Sequence, residues 1–290
     1  MHHAAPFTAP RSCIAGLLIL GLALGAAPAI AATATVVATM HDPFKTAPDI
    51  VDNGTLTHED DTFVHSAVQG TANARDPETS AGGTAVAKAG IRGVYGEEPA
   101  PDQTPGTVYV GSSASAQSQG NRVGSAHATV SLDYGITVRQ WLGSNPLFTG
   151  LVAGICGNPL TGCSLAENFL HHTVGRFAYT PNSDVSASAR FSETLTIKGD
   201  AERTIGGTAT LAVDPAHPAD GFTVLTTGAW QDRDVFPAVI GVNGIEIPFS
   251  HFEEITAVPT TFFLDADLSG NAFLEGGYLV TLTQDAAADF

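Results

Sequence analysis

A two-residue periodicity recurs along this chain and limits what it can fold into. In "SAHATVSLDYGITVRQ", Val130, Leu132, Tyr134, Ile136 and Val138 fall on one face, and Thr129, Ser131, Asp133, Thr137 and Arg139 on the other. Side chains alternate across a strand, so the pattern predicts a strand with one buried face. Gly135 inside it predicts a bulge or a close backbone approach. Similar runs follow in "RFAYT", "SDVSASARFSETLTIKG", "RTIGGTATLAVDP" and "GFTVLTTGAW". In "GGYLVTLTQDAAADF", Tyr278, Val280 and Leu282 alternate with Leu279, Thr281 and Thr283, which predicts a strand paired inside a sheet. "GVNGIEI" predicts a hairpin, because Asn-Gly supplies the positive φ angles of a type I′ turn. One stretch reads differently. "SLAENFLHH" (164–172) predicts a short helix, with Ser164 as N-cap and Glu167 three residues on. Strands at this spacing, with no long helical interludes, predict an all-β fold: a two-sheet antiparallel sandwich, jelly-roll-like, with at most one short helix near 164–172.

The chain of 290 residues is long enough for one large β domain. Its first 32 residues read as a signal peptide. Arg11 ends a short n-region, "CIAGLLILGLALGAA" (13–27) is apolar, and "APAIAA" (27–32) supplies the small residues for cleavage after Ala31 or Ala32. The apolar run is short for a membrane span of about 20 residues. Cys13 precedes it, which argues against a lipoprotein anchor, and no second run of spanning length follows. The expected product is exported, to the extracellular space or the cell surface, without a stable membrane span after signal removal. Residues 33–80 are mixed and polar and read as a loosely ordered lead-in with one or two strands, such as "ATATVVATM"; residues 81–290 read as the sandwich.

Cys156 and Cys163 remain after cleavage. An exported protein meets an oxidising compartment, so the pair is expected to form a disulfide around a small turn-rich loop. Redox and zinc motifs usually separate their cysteines by two to four residues, and this spacing is wider. The net charge is −17, from 12 Lys+Arg against 29 Asp+Glu, and no basic cluster occurs. Nucleic acid and anionic membrane surfaces need such a cluster, so neither is an expected partner. The acidity itself is read as favouring solubility.

The acid-bearing motifs are weaker than they first look. Counted as a calcium loop from Asp265, "DADLSGNAFLEG" places Asp267, Ser269 and Gly270 correctly, but Glu275 falls at position 11 where the bidentate ligand belongs at 12. Phe262, Leu264, Ala266 and Leu268 alternate with Phe263, Asp265, Asp267 and Ser269, so the stretch reads as a strand, and Asp265 and Asp267 remain only weak metal candidates. "HEDDTFVH" (58–65) gathers His58, Glu59, Asp60, Asp61 and His65 without the H-E-x-x-H spacing and reads as a solvated acidic turn. His171 and His172 adjoin and would not face one site on a helix. Glu253 and Glu254, near His251, would point to opposite faces of a strand and make no glycosidase pair by themselves. No nucleophile elbow and no phosphate-cradling loop occurs. Of the two tryptophans, Trp230, flanked by Gly and acids, has the better claim to exposure as a sugar-stacking platform. No catalytic residue and no cofactor is expected.

"SAHATVSLDYGITV" (125–138), "VPTTFFLDADLSGNAF" (258–273), the Gly276-Gly277 pair and the closing "AAADF" together resemble the extracellular domains of exosortase-sorted surface proteins of Gram-negative bacteria, the PEP-CTERM group. The resemblance covers about residues 67–290 and is compositional. It implies an Ala/Ser/Gly-rich β protein associated with exopolysaccharide and biofilm. The family pattern continues with a further strand and a Pro-Glu-Pro sorting signal, whereas this sequence ends at Phe290. The resemblance therefore implies a secreted, unanchored relative or a truncated one. The expected role is structural or adhesive and non-catalytic, through extracellular polysaccharide or through self-association at an open sheet edge. A carbohydrate-binding module is the alternative, and a glycan-active enzyme a third reading.

Overall fold

A computed structural model describes residues 31–44, 48–59, 64–92, 107–119, 121–143, 162–180, 186–214, 216–217, 221–241, 244–266 and 272–290. Fourteen strands account for nearly all of them: β1 Ala31–His41, β2 Ile50–Asp52, β3 Thr55–Glu59, β4 Val64–Arg75, β5 Gly82–Arg92, β6 Thr107–Gln117, β7 Val123–Gly143, β8 Cys163–Tyr179, β9 Ala187–Lys198, β10 Glu202–Val213, β11 Phe222–Gly228, β12 Val239–Gly241, β13 Gly244–Ala266 and β14 Ala272–Asp289. The only helical turn among the described residues is a 3-10 turn at Asp232–Asp234. The fold is the expected all-β sandwich, antiparallel throughout.

One layer is a long sheet in the order β11-β10-β9-β14-β7-β1-β2. The second layer has two parts. A sheet in the order β3-β4-β5-β6 lies over β1, β7 and β14, and a ribbon of β8, β13 and β12 lies over β9 and β10. β13 joins the layers: Phe263–Ala266 pairs with β14, while Ile245–Phe262 pairs with β8. A register shift between Ile255 and Val258, with Ala257 at φ 53°, bends the strand on the way.

The two parts have different interiors. Between β5 and β7 the core is built from small residues: Ala85, Ala87, Ala89 and Ala128 are fully buried beside Val130 and Leu132. Small side chains bring the sheets close together. At the tightest point a Cβ on Gly124 would lie 2.0 Å from the Gly82 carbonyl oxygen, and one on Gly83 would lie 1.8 Å from that of Ser125. Between the ribbon and β9–β10 the core is aromatic, with Phe177, Phe191, Trp230 and Phe249 packed at centroid distances of 5.2–5.6 Å.

Several expectations need correction. Residues 164–172 are strand, not helix: they form the first half of β8, paired with β13 through Leu165, Phe169 and His171. The inward positions of this strand include Glu167, His171 and Thr173, so its period is not visible as hydrophobicity. The described part of residues 33–80 holds more than one or two strands: the expected strand "ATATVVATM" is β1, paired on both sides in the long sheet, and β2 to β4 follow it. Gly135 sits in a continuous ladder opposite Leu279, without a bulge; the irregularity of that pair lies at Ala272/Phe273. β12 and β13 form the expected hairpin, but Gly244 pairs with Gly241 in the ladder instead of standing at the centre of the turn. β14 does pair inside the sheet, between β7 and β9, so the last strand is not an open edge.

Candidate functional site

The second layer is interrupted. Among the described residues β6 pairs only with β5, and β8 only with β13. Between their facing edges runs a trough with two connected lengths, of about 390 Å³ and 880 Å³. Val108–Ala114 of β6 and His171–Phe177 of β8 wall the first length; Ala114–Ser118 and Arg176–Thr180 wall the second. Both walls advance in the same chain direction, so β6 and β8 run parallel to each other across the gap. The floor is the long sheet, with Leu282, Gln284 and Ala286 of β14 and Ala189 and Phe191 of β9.

Strand alternation produces this lining. Val108, Val110, Ser112 and Ala114 of β6 point toward the floor and are only half-buried, because no neighbouring strand covers them. The Ser112 hydroxyl is buried and makes no hydrogen bond. β6, "TVYVGSSASAQ", carries no charged residue and no proline. Two charged side chains along it are paired, Arg176 with Glu246 at 3.5 Å and Arg190 with Asp285 at 2.9 Å, and Asp289 borders the second length. Burial would push the Asp285 carboxyl up, but hydrogen bonds from His127, Thr129 and Arg190 outweigh it and hold Asp285 below the usual range.

Under one end of the trough lies a buried polar cluster. Glu193, 4% exposed, accepts from His171 Nε2 at 2.6 Å, Thr173 Oγ1 at 2.5 Å and Gln284 Nε2 at 2.7 Å. Burial alone would raise its pKa; the three donors, His171 foremost, more than offset this and lower it. A general acid needs the opposite shift. The cluster is not a nucleophile relay either. Thr173 Oγ1 and Glu193 both meet the same imidazole nitrogen, Nε2, whereas a relay uses the two nitrogens separately. The arrangement satisfies a buried carboxylate and ties β8, β9 and β14 together.

The residues singled out in the sequence are scattered. Trp230 is 3% exposed, packed on Phe191, Phe249 and the His251 ring at 5.3 Å, so it offers no free face to a sugar and that reading is withdrawn. Its flanking acids act locally instead: Asp234 accepts from His251 Nδ1 at 2.8 Å. Glu253 faces inward and Glu254 outward, on opposite sides of β13 as expected. His171 faces inward and His172 outward. The backbone of Asp265 is in β13, opposite Phe273, which agrees with a strand up to Ala266; Asp267 lies outside the described residues. Cys163 is buried beside Phe262 and Leu274, while Cys156 and hence the expected bridge lie outside them. His58 is exposed in β3, and Asp60 and Asp61 are likewise outside. Among the described residues no group of three or more His, Cys, Asp or Glu side chains is placed to hold a metal ion. No helix among them is long and apolar enough to cross a membrane. The trough itself escaped sequence reading, because its walls and floor come from strands far apart in the chain. The uncharged run of β6 was the one available signal. Comparison with protein-family models, with curated proteins and with solved structures finds no match to this chain.

Proposed function

We propose that the chain is an exported, non-catalytic structural or adhesive protein acting at the cell surface or in the extracellular matrix. One observation carries the reading: a trough runs between two strand edges that have no partner strand among the described residues, over a floor that includes Leu282, Gln284 and Ala286. Such a surface offers backbone hydrogen bonds and apolar area along a line, which is the equipment for holding a chain-like partner. Bond-breaking chemistry calls for converging groups with shifted pKa values in a cleft. The buried carboxylate beneath the trough, Glu193, is instead committed to three donors. The N-terminal targeting pattern and the resemblance to exosortase-sorted surface proteins agree with this assignment.

The test is fractionation of cells producing the protein, together with a substrate panel. The protein is expected in the surface or matrix fraction, and polysaccharides, esters and peptides are expected to give background turnover. Turnover lost in Glu253→Gln would overturn the non-catalytic reading. Recovery of the protein wholly inside the cell would overturn its placement.

A further inference from the structure

We infer that the trough takes one extended peptide strand from a partner protein, paired antiparallel to β6 and β8 at once. The inference rests on the adhesive reading above and adds the chemistry of the partner. The geometry is specific. β6 and β8 are parallel to each other, so a single strand between them is antiparallel to both and turns the second layer into one continuous antiparallel sheet from β3 to β12. The walls run from Val108 to Ser118 and from His171 to Ala178, so about eight residues, or roughly 26 Å of strand, can pair on both sides at once.

Three further observations define the occupant. An exposed strand edge is normally blunted by lysine, proline or a bulge; β6 has no charge and no proline, and its ladder with β5 is unbroken from Gly82↔Gln117 to Arg92↔Thr107. The Ser112 hydroxyl is buried on this wall without a partner, and buried hydroxyls are normally hydrogen-bonded. The floor residues under the gap, Ala189, Ala286 and Leu282, are small or apolar, and the nearby arginines are already paired. The occupant is therefore an uncharged strand whose inward positions alternate among residues of Ala, Val or Leu size. The two described arginines that an acidic glycan would meet are already paired, and a neutral glycan does not repeat the amide ladder that the two edges present.

The probe is a pool of acetylated, amidated decapeptides randomised over Ala, Val, Thr, Ser and Gly, passed over the immobilised full chain. Retention is expected at least about tenfold above that on Ala189→Trp, whose indole fills the floor. Methylation of alternate amide nitrogens in the retained peptides should lower retention about tenfold or more, because it removes ladder hydrogen bonds and leaves the side chains intact. Circular dichroism establishes that Ala189→Trp is folded. Ala114→Arg, which places a charge on the β6 wall, serves as a second blocked variant. Equal retention on wild type and both blocked variants would overturn the inference. So would indifference to N-methylation, or displacement of the peptides by neutral oligosaccharide. The adhesive reading has its own readout. Wild type in the matrix fraction with no peptide retention sinks the strand inference alone; wild type absent from that fraction sinks the reading beneath it.

Discussion

Replacing Glu193 tests whether the buried polar cluster is structural. Glu193→Ala leaves His171 Nε2, Thr173 Oγ1 and Gln284 Nε2 without their common acceptor in a site where the carboxylate is 4% exposed. Each unsatisfied buried donor costs about 1–3 kcal/mol. Thr173 can still donate to His171, at 2.9 Å, so the lower part of the combined range applies, about 3–4 kcal/mol. At roughly 2–4 °C per kcal/mol for a large domain, the Tm should fall by about 10 °C. Glu246→Ala is the control. It removes an exposed pair with Arg176, which should cost under about 0.5 kcal/mol. Urea unfolding followed by circular dichroism at pH 7 measures both. The pH dependence follows from the direction of the shift. Glu193 titrates lower in the folded state than its ordinary 4.5, so its contribution is complete above that value and is lost as pH falls through the lowered folded value. The stability gap between wild type and Glu193→Gln should stay constant from pH 7 to pH 5 and close on further acidification. A loss under about 1 kcal/mol for Glu193→Ala, or a gap that widens on acidification, would refute the structural role.

Gly124→Ala should cost about 3 kcal/mol, because the new methyl meets the Gly82 carbonyl oxygen at 2.0 Å and that backbone cannot yield without parting the sheets; urea unfolding checks it. Trp230→Ala should destabilise by about 3–5 kcal/mol, leave sugar binding at background and lower the Tm; a stable variant with altered sugar retention would contradict the buried placement. The intact mass of the exported protein should start near Ala32 or Thr33 and lie two hydrogens below the reduced value, and free thiols at Cys156 and Cys163 in native protein would remove the disulfide.

Where one face of a strand is apolar and the other polar, the sequence was legible. Val130, Leu132 and Tyr134 are buried and Asp133 and Arg139 exposed, as their alternation required, and β14 pairs inside the sheet. It was not legible in β8. That strand turns His171 and Thr173 inward to meet Glu193 on β9, a partner twenty or more residues away. Local capping chemistry at Ser164 and Glu167 then suggested a helix that pairing with β13 overrides. Trp230 misled for a related reason: its acidic neighbours looked solvated, yet Asp234 turns back to His251 beneath the ring. The strand "ATATVVATM" of β1 was legible, but small residues hid β4, whose Ala72 and Ala74 are fully buried because the sheets approach closely there. The trough depends on which strands fail to pair, and that is a property of topology rather than of any local stretch.

Hydrogen exchange on the free protein, resolved to single amides, tests the central claim most directly. If the second layer is open between β6 and β8, amides of β6 that face the trough exchange rapidly, while those bonded to β5, and the amides of β5 itself, are protected toward the global limit. The same alternation is expected along His171–Ala178 of β8, fast on the trough side and slow toward β13. Uniform protection of both sets along β6 would contradict the account, because it would mean that this chain already closes its own gap.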